Sequence, residues 1–342
     1  MCERGLFMGG DMSFPHHNIN INVKIDAMSS QVKMGGITVS TFGDRETECE
    51  RLFEEMGPFW HVYTDGTKME DVFCQNEDLN MAMVALAVEE KLQTDVMLIA
   101  FEIMMNHVHL IMAGKREACM NFFIKYKQRL MRVFPPSLRY IDWSRFEASI
   151  IQIDSLKSLR NEIIYAHRNA FVANPGYTPC NYPWGSGWTY FNTMLTHLSV
   201  RSLNEFSVLK QREMVKCRDV SGLGSLGFMG SVPFIPSFCR IEIGERMFRD
   251  PRSYFYALTR NAETFSQIAM RLKDEIFLTD DEMYSVAVQY SQSMFSVAKL
   301  NMLPPGQKIE LAKELRIRFK ATHQQLRRIL KIDMKVLMEL FP

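Results

Sequence analysis

Two histidines, His107 and His109, stand two apart in the apolar run Val96–Met112. On a β-strand successive side chains turn to opposite faces, so this spacing directs both imidazoles the same way. Two neutral imidazoles converging from one face make half of a divalent-metal site. Further along, Tyr165 and Asn169 are one helical turn apart in the segment Asp154–Phe171. Apolar residues there fall at Leu156, Leu159, Ile163, Ala166 and Ala170, steps of three or four that define a core stripe. Tyr165 falls on a different stripe, with Asn161, Arg168 and Asn169, where a tyrosine has no packing role. Two imidazoles and a side-chain carbonyl can hold Mg²⁺ or Mn²⁺ and leave positions open for a phosphate oxygen. A metal so held polarises a phosphodiester, and a nearby tyrosine can attack phosphorus to give a covalent phosphotyrosine. The new ester conserves the energy of the broken bond, so a strand can be rejoined without a nucleotide cofactor. The chain accordingly carries no GxxxxGK[ST] loop.

The elements that must position these groups are legible from periodicity and punctuation. Phe59–Tyr63 is an aromatic and β-branched run ended by Asp65-Gly66, which predicts a strand and turn. Asn76–Gln93 opens with acidic residues and has helical spacing. Asp95–Met104 and His107–Met112 predict two strands joined by a tight turn near Met105-Asn106. Lys115–Val133 is a basic amphipathic helix stopped by Pro135-Pro136. Phe146–Ile153 predicts a strand, and Asp154 an N-cap for the helix that carries Tyr165. The order β-α-β-β-α-β predicts an α+β domain of ferredoxin-like type, an antiparallel sheet with two helices on one face.

Outside this region residues 1–40 are polar and aperiodic, which predicts a flexible arm. Residues 41–192 form the expected catalytic domain and 193–275 a helical and loop connection, with Gly222–Pro236 as a loop or linker. Residues 276–342 predict short helices over Lys308–Phe319, Ala321–Leu330 and Asp333–Phe341. Their tight connections suggest a helix-turn-helix that exposes Gln324, Gln325, Arg327 and Arg328 to DNA.

The net charge of +1 conceals strong segregation. Residues 44–93 carry 13 acidic against 4 basic side chains, residues 115–145 carry 8 basic against 2 acidic, and residues 300–342 carry 9 basic against 4 acidic. Two basic blocks in a near-neutral chain suit a phosphate-binding surface. Lys125, Lys127, Arg129 and Arg132 are the candidates for phosphate contacts in the first block. No apolar run is long enough for a membrane span. Seven cysteines without a CxxC pair predict free thiols in a cytoplasmic protein.

Three segments together resemble a known family. FEIMMNHVHLIMAG resembles the metal strand of the single-tyrosine HUH transposases, the insertion-sequence-200-like and REP-associated tyrosine transposases. NEIIYAHRNAF resembles their nucleophile helix, and YTPCNYPWGSGWTYFN the aromatic segment that follows it. The resemblance covers about residues 57–192 and extends more loosely to the C-terminal helices of longer members. It implies metal-dependent cleavage and rejoining of single-stranded, hairpin DNA through a 5′-phosphotyrosine. By it Tyr165 is the nucleophile, His107, His109 and Asn169 bind Mg²⁺ or Mn²⁺, and a homodimer is expected. Met105 and Ala170 stand where members often carry proline.

Other readings fare less well. A histidine-triad hydrolase needs a third alternating histidine, and position 111 is Ile. A two-histidine phosphoesterase needs a second HxT/S motif, which His61, His167 and His197 do not provide. An RNA-binding ferredoxin-like domain has no need of a metal pair. The remaining alternative is a catalytically silent DNA-binding or regulatory protein on the same fold.

Overall fold

A computed structural model of the chain describes residues 42–135, 139–173, 177–260, 268–269, 271–272 and 278–341. The expected arm over 1–40 lies outside these residues. The mixed α+β class is observed. Helix α1 (Phe42–Met56) leads into β1 (Phe59–Thr64), α2 (Asn76–Leu92), β2 (Val96–Ile103), β3 (Val108–Gly114), α3 (Arg116–Val133), β4 (Ala148–Ile153) and α4 (Leu156–Ala173). The four strands form one antiparallel sheet in the order β2-β3-β1-β4. Helices α2 and α3 pack together on one face, and α4 crosses the other.

Local chemistry explains the boundaries. Asp65 stops β1 by accepting a hydrogen bond from the Thr67 amide at 2.9 Å, an Asx turn. The β2–β3 hairpin closes where Met104 N donates to His107 O at 2.8 Å. Ser155, not Asp154, begins α4: its hydroxyl accepts from the Ser158 amide at 3.2 Å and its carbonyl from Leu159 at 2.9 Å.

The connecting region is more ordered than its composition suggests. It holds β5 (Arg201–Ser202), α5 (Val208–Val215), β6 (Gly227–Met229), β7 (Val232–Pro233), α6 (Ile241–Arg246) and α7 (Pro251–Arg260). Strands β5, β6 and β7 form a second small antiparallel sheet. Gly222–Pro236 is therefore no linker: Leu223, Leu226, Phe228, Val232 and Ile235 are buried in the main core. Apolar residues between the glycines bury enough surface to hold the segment in place. Helices α8 (Asp280–Phe295), α9 (Pro305–Phe319), α10 (His323–Leu330) and α11 (Met334–Leu340) complete the chain.

Two apolar cores result. The larger joins the sheet to α2, α3 and the connecting region. The smaller is built from Ile268, Ala269, Leu272 and the last four helices, and it includes Tyr63 and Tyr165 from the sheet domain. The two cores meet on the α4 face of the sheet.

Five cysteines, Cys49, Cys119, Cys180, Cys217 and Cys239, are free thiols as expected, whereas Cys74 is disulfide-bonded. No described helix is long and apolar enough to cross a membrane.

Candidate functional site

The sheet register brings the histidines together. Tyr63 of β1 lies opposite His109 of β3, which lies opposite Glu102 of β2, so all three side chains share the α4 face. His61 is on the same face, two residues before Tyr63. From the other side α4 presents Glu162, Tyr165 and Asn169, at helical spacing of three and four. The four residues expected to share a site do converge. The rings of His107 and His109 are 5.0 Å apart between centroids, and Tyr165 meets His109 edge-on at 5.3 Å. Asn169 Nδ2 lies 2.9 Å from His109 Nε2.

Each imidazole is held from behind. His107 Nδ1 lies 2.7 Å from Asn106 Oδ1, and Asn106 Nδ2 donates to the Gly66 carbonyl at 2.8 Å. Gly66 permits this close approach, since a Cβ there would stand 2.7 Å from His107 Nδ1. His109 Nδ1 lies 3.0 Å from His61 Nε2, and His61 Nδ1 lies 2.8 Å from Glu162 Oε2. The row Glu162–His61–His109–Asn169 thus spans two strands and a helix without a break.

A divalent cation would draw on His107 Nε2, His109 Nε2 and, once the Asn169 amide turns to present its oxygen in place of the nitrogen, Asn169 Oδ1. This donor set fits. In each histidine the other ring nitrogen is engaged by a protein group, as in metal-ligating histidines, which fixes the ring. Among the described residues no group of three or more His, Cys, Asp or Glu side chains forms a metal cluster. The set here is two imidazoles and an amide.

Sequence reasoning missed three residues. His61 and Glu162 form the row just described. Glu102, fully buried opposite His109, accepts from the Ala170 amide at 2.5 Å, and burial holds its carboxyl well above the usual range. That bond gives position 170 a character of its own: its N–H goes to a side chain on the sheet. The aromatic segment after α4 seals the free edge of β2. Ile103 N donates to Trp184 O at 2.9 Å, Phe101 N to Ser186 Oγ at 2.9 Å, and Tyr182 OH to Ile103 O at 2.6 Å. Gly185 faces Glu102 so closely that a Cβ would lie 2.7 Å from its Oε2.

His167, two residues from Tyr165, is a core residue. Its Nδ1 lies 2.9 Å from Tyr254 Oη and its Nε2 2.8 Å from Ser186 Oγ, and burial pushes its pKa down to about 3. The folded state then binds fewer protons than the unfolded one between about pH 3 and 6.5. Stability from this group is present above pH 6.5 and is lost as pH falls through that window. Urea unfolding across it is expected to show a steeper rise with pH in the natural chain than in His167→Gln. Equal slopes would contradict the assignment.

The expected exposure of Tyr165 is not observed. Residues 162–170 of α4 are all buried, and Tyr165 is 1% exposed. The smaller core covers it from the C-terminal side. Two ion pairs fasten this cover to α4, Arg168 to Glu282 of α8 and Glu162 to Arg271. The polar stripe of α4 is thus matched by charges from a distant part of the chain.

The basic residues fare differently. Helix α3 lies across the sheet from the histidines, so Lys125, Lys127 and Arg132 are not brought to the site. Arg129 is no phosphate contact: it is buried and its Nε donates to Glu89 Oε1 at 2.6 Å. Its position one turn from Tyr126, on the buried stripe, dictates this. Arg129→Ala leaves Glu89 buried without its counter-charge, which costs about 3 kcal/mol or more. Denaturant unfolding reads that loss, and a change below about 1 kcal/mol would show the pair to be incidental. In α10, Gln325 is structural. It closes a capping box with Thr322 and donates to Leu278 O at 2.7 Å. Arg328 pairs with Asp280 at 3.0 Å, and Gln324, Arg327 and Arg328 are all exposed.

Neither protein-family models nor curated proteins nor solved structures yield a match to this chain.

Proposed function

We propose that the protein is a tyrosine HUH transesterase that cleaves and rejoins single-stranded DNA, as in the transposition of a small element. The observation that carries the reading is the convergence of His107, His109, Asn169 and Tyr165 from a strand hairpin and a helix far apart in sequence. The element order and the strand order β2-β3-β1-β4 support a ferredoxin-like fold of this type. The short turn between α9 and α10, with Gln324 and Arg327 exposed, supports a helix-turn-helix that binds a DNA hairpin.

In this reading Tyr165 Oη attacks the phosphorus of a strand laid against the histidines. The bond from phosphorus to the 3′-oxygen breaks, that oxygen takes up a proton, and the 5′-phosphate stays on Tyr165. Attack by a 3′-hydroxyl reverses the step and joins strands. Bound Mn²⁺ or Mg²⁺ would supply Lewis-acid polarisation of the phosphodiester. His107 and His109 would hold it through Nε2 and Asn169 through its amide oxygen, while Asn106 and His61 keep both rings from turning.

The test is cleavage of labelled hairpin DNA with single-stranded flanks, taken from beside the gene. Cleavage is expected with Mn²⁺ or Mg²⁺ and is expected to stop on chelation. Cleavage that survives chelation, or is unchanged in His107→Ala/His109→Ala, contradicts the reading. The burial of Tyr165 favours a second reading, a catalytically silent DNA-binding protein. Hairpin binding without cleavage, even in a variant that breaks the Arg168–Glu282 pair fastening the cover, would establish it.

A further inference from the structure

We infer that Glu162 and His61 are positioning residues for His109: they fix which of its ring nitrogens carries the proton and keep the Nε2 lone pair turned toward Asn169. The inference deepens the proposed function and rests on it for the purpose the lone pair serves.

The directions of the hydrogen bonds follow from one end. A carboxylate can only accept, so at 2.8 Å from Glu162 Oε2 the proton belongs to His61 Nδ1. Glu162 is also paired with the Arg271 guanidinium, which balances the charge of the carboxylate. A neutral His61 therefore suffices, and its Nε2 is then an acceptor. His109 Nδ1, 3.0 Å away, must be the donor to it. That leaves His109 Nε2 as a lone pair, 2.9 Å from the Asn169 amide nitrogen, which donates to it. Every bond in the row points the same way, and the buried carboxylate sets the direction. His61 and His109 are wholly buried and Glu162 nearly so, so bulk water does not scramble the tautomers.

A neutral imidazole left to itself exchanges between two tautomers, and only one presents Nε2 as a ligand. A carboxylate behind a ligating histidine raises its basicity and orients it, and loss of such a partner costs about 10–100-fold in metal affinity. Here the carboxylate acts at one remove, through a second imidazole. Neither residue is among the groups that would hold the cation or attack phosphorus, which separates them from Tyr165 and His107 in role.

The experiment is ¹⁵N-histidine NMR on the full chain, with Mn²⁺ titration followed by electron paramagnetic resonance in the absence of DNA. In the natural chain His109 is expected as the Nδ1–H tautomer. In Glu162→Gln the amide can donate to His61 Nδ1 and so reverse the row. His109 is then expected to shift toward Nε2–H, with Mn²⁺ bound about 10–100-fold more weakly. His61→Phe keeps ring volume and removes both bonds. It is expected to give a mixture of His109 tautomers and a similar loss, so the inference stays testable if Glu162→Gln folds poorly. A natural chain with His109 as Nε2–H, or a tautomer unmoved in both variants, overturns the inference. Should the natural chain bind no Mn²⁺, the metal-dependent function fails, while the NMR result still decides the row.

Discussion

Replacing Glu282 with arginine is expected to raise the yield of covalent protein–DNA adduct by about tenfold or more. Tyr165 lies beneath a helical layer whose core includes its own ring, so a strand of DNA reaches it only when that layer moves. Arg168–Glu282 and Glu162–Arg271 tie the layer to α4. Breaking a buried pair costs about 3–5 kcal/mol, and a like charge opposite Arg168 adds repulsion. Both of these effects fall on the covered arrangement, so the balance shifts toward access; the bond that Glu282 accepts from the Thr279 amide at 3.0 Å at the start of α8 is lost in either arrangement. A shift of about 1.4 kcal/mol is already tenfold in population. Nitration of Tyr165 by tetranitromethane reads the opening without DNA and is expected to accelerate in parallel. An adduct yield and a nitration rate both equal to those of the natural chain would show that the layer does not control access.

Tyr165→Phe has the largest expected effect on activity. The substitution removes one oxygen and keeps the ring that packs edge-on against His109 and, at 6.2 Å, against His61. The fold and hairpin binding are expected to survive it. Adduct formation is expected to vanish even when Glu282→Arg is present in the same chain, because the oxygen proposed to attack is gone. An adduct that persists in the double variant would move the nucleophile elsewhere.

Which parts of this arrangement the sequence revealed follows from the range of the signals. The hairpin that carries His107 and His109 was legible because alternation and turn chemistry are local, and it is observed with strand ends shifted by one or two residues. The approach of α4 to that hairpin was legible only through Tyr165 and Asn169, whose common stripe had no other use. His61 was harder. Nothing local says that β1 lies beside β3, and only that pairing brings His61 Nε2 to His109. A faint signal existed, since Glu162 lies on the stripe of Tyr165 and Asn169 and a buried carboxylate needs a partner.

The cover over the site was not legible. It depends on Arg271 and Glu282 meeting α4 across more than a hundred residues of chain, and surface-like helical patterns do not reveal which charges will be paired. The same limit misled the reading of Arg129. A basic run suggests a phosphate surface, yet the buried stripe set by Cys119, Phe122, Tyr126 and Leu130 carries Arg129 inward to Glu89. The polar face of α4 is the reverse case. Its residues looked solvent-exposed by type, yet Glu162, Arg168 and Asn169 are buried, each with a partner, and Asn161 is half-buried.

The measurement that tests the central claim most directly is peptide mapping of the adduct. The full chain and its Glu282→Arg variant are incubated with hairpin DNA and Mn²⁺, digested with protease and nuclease, and analysed by mass spectrometry. The account predicts one nucleotide-bearing peptide, modified at Tyr165 through a 5′-phosphate. Modification at another residue, or DNA cleaved with no covalent peptide at all, would contradict it.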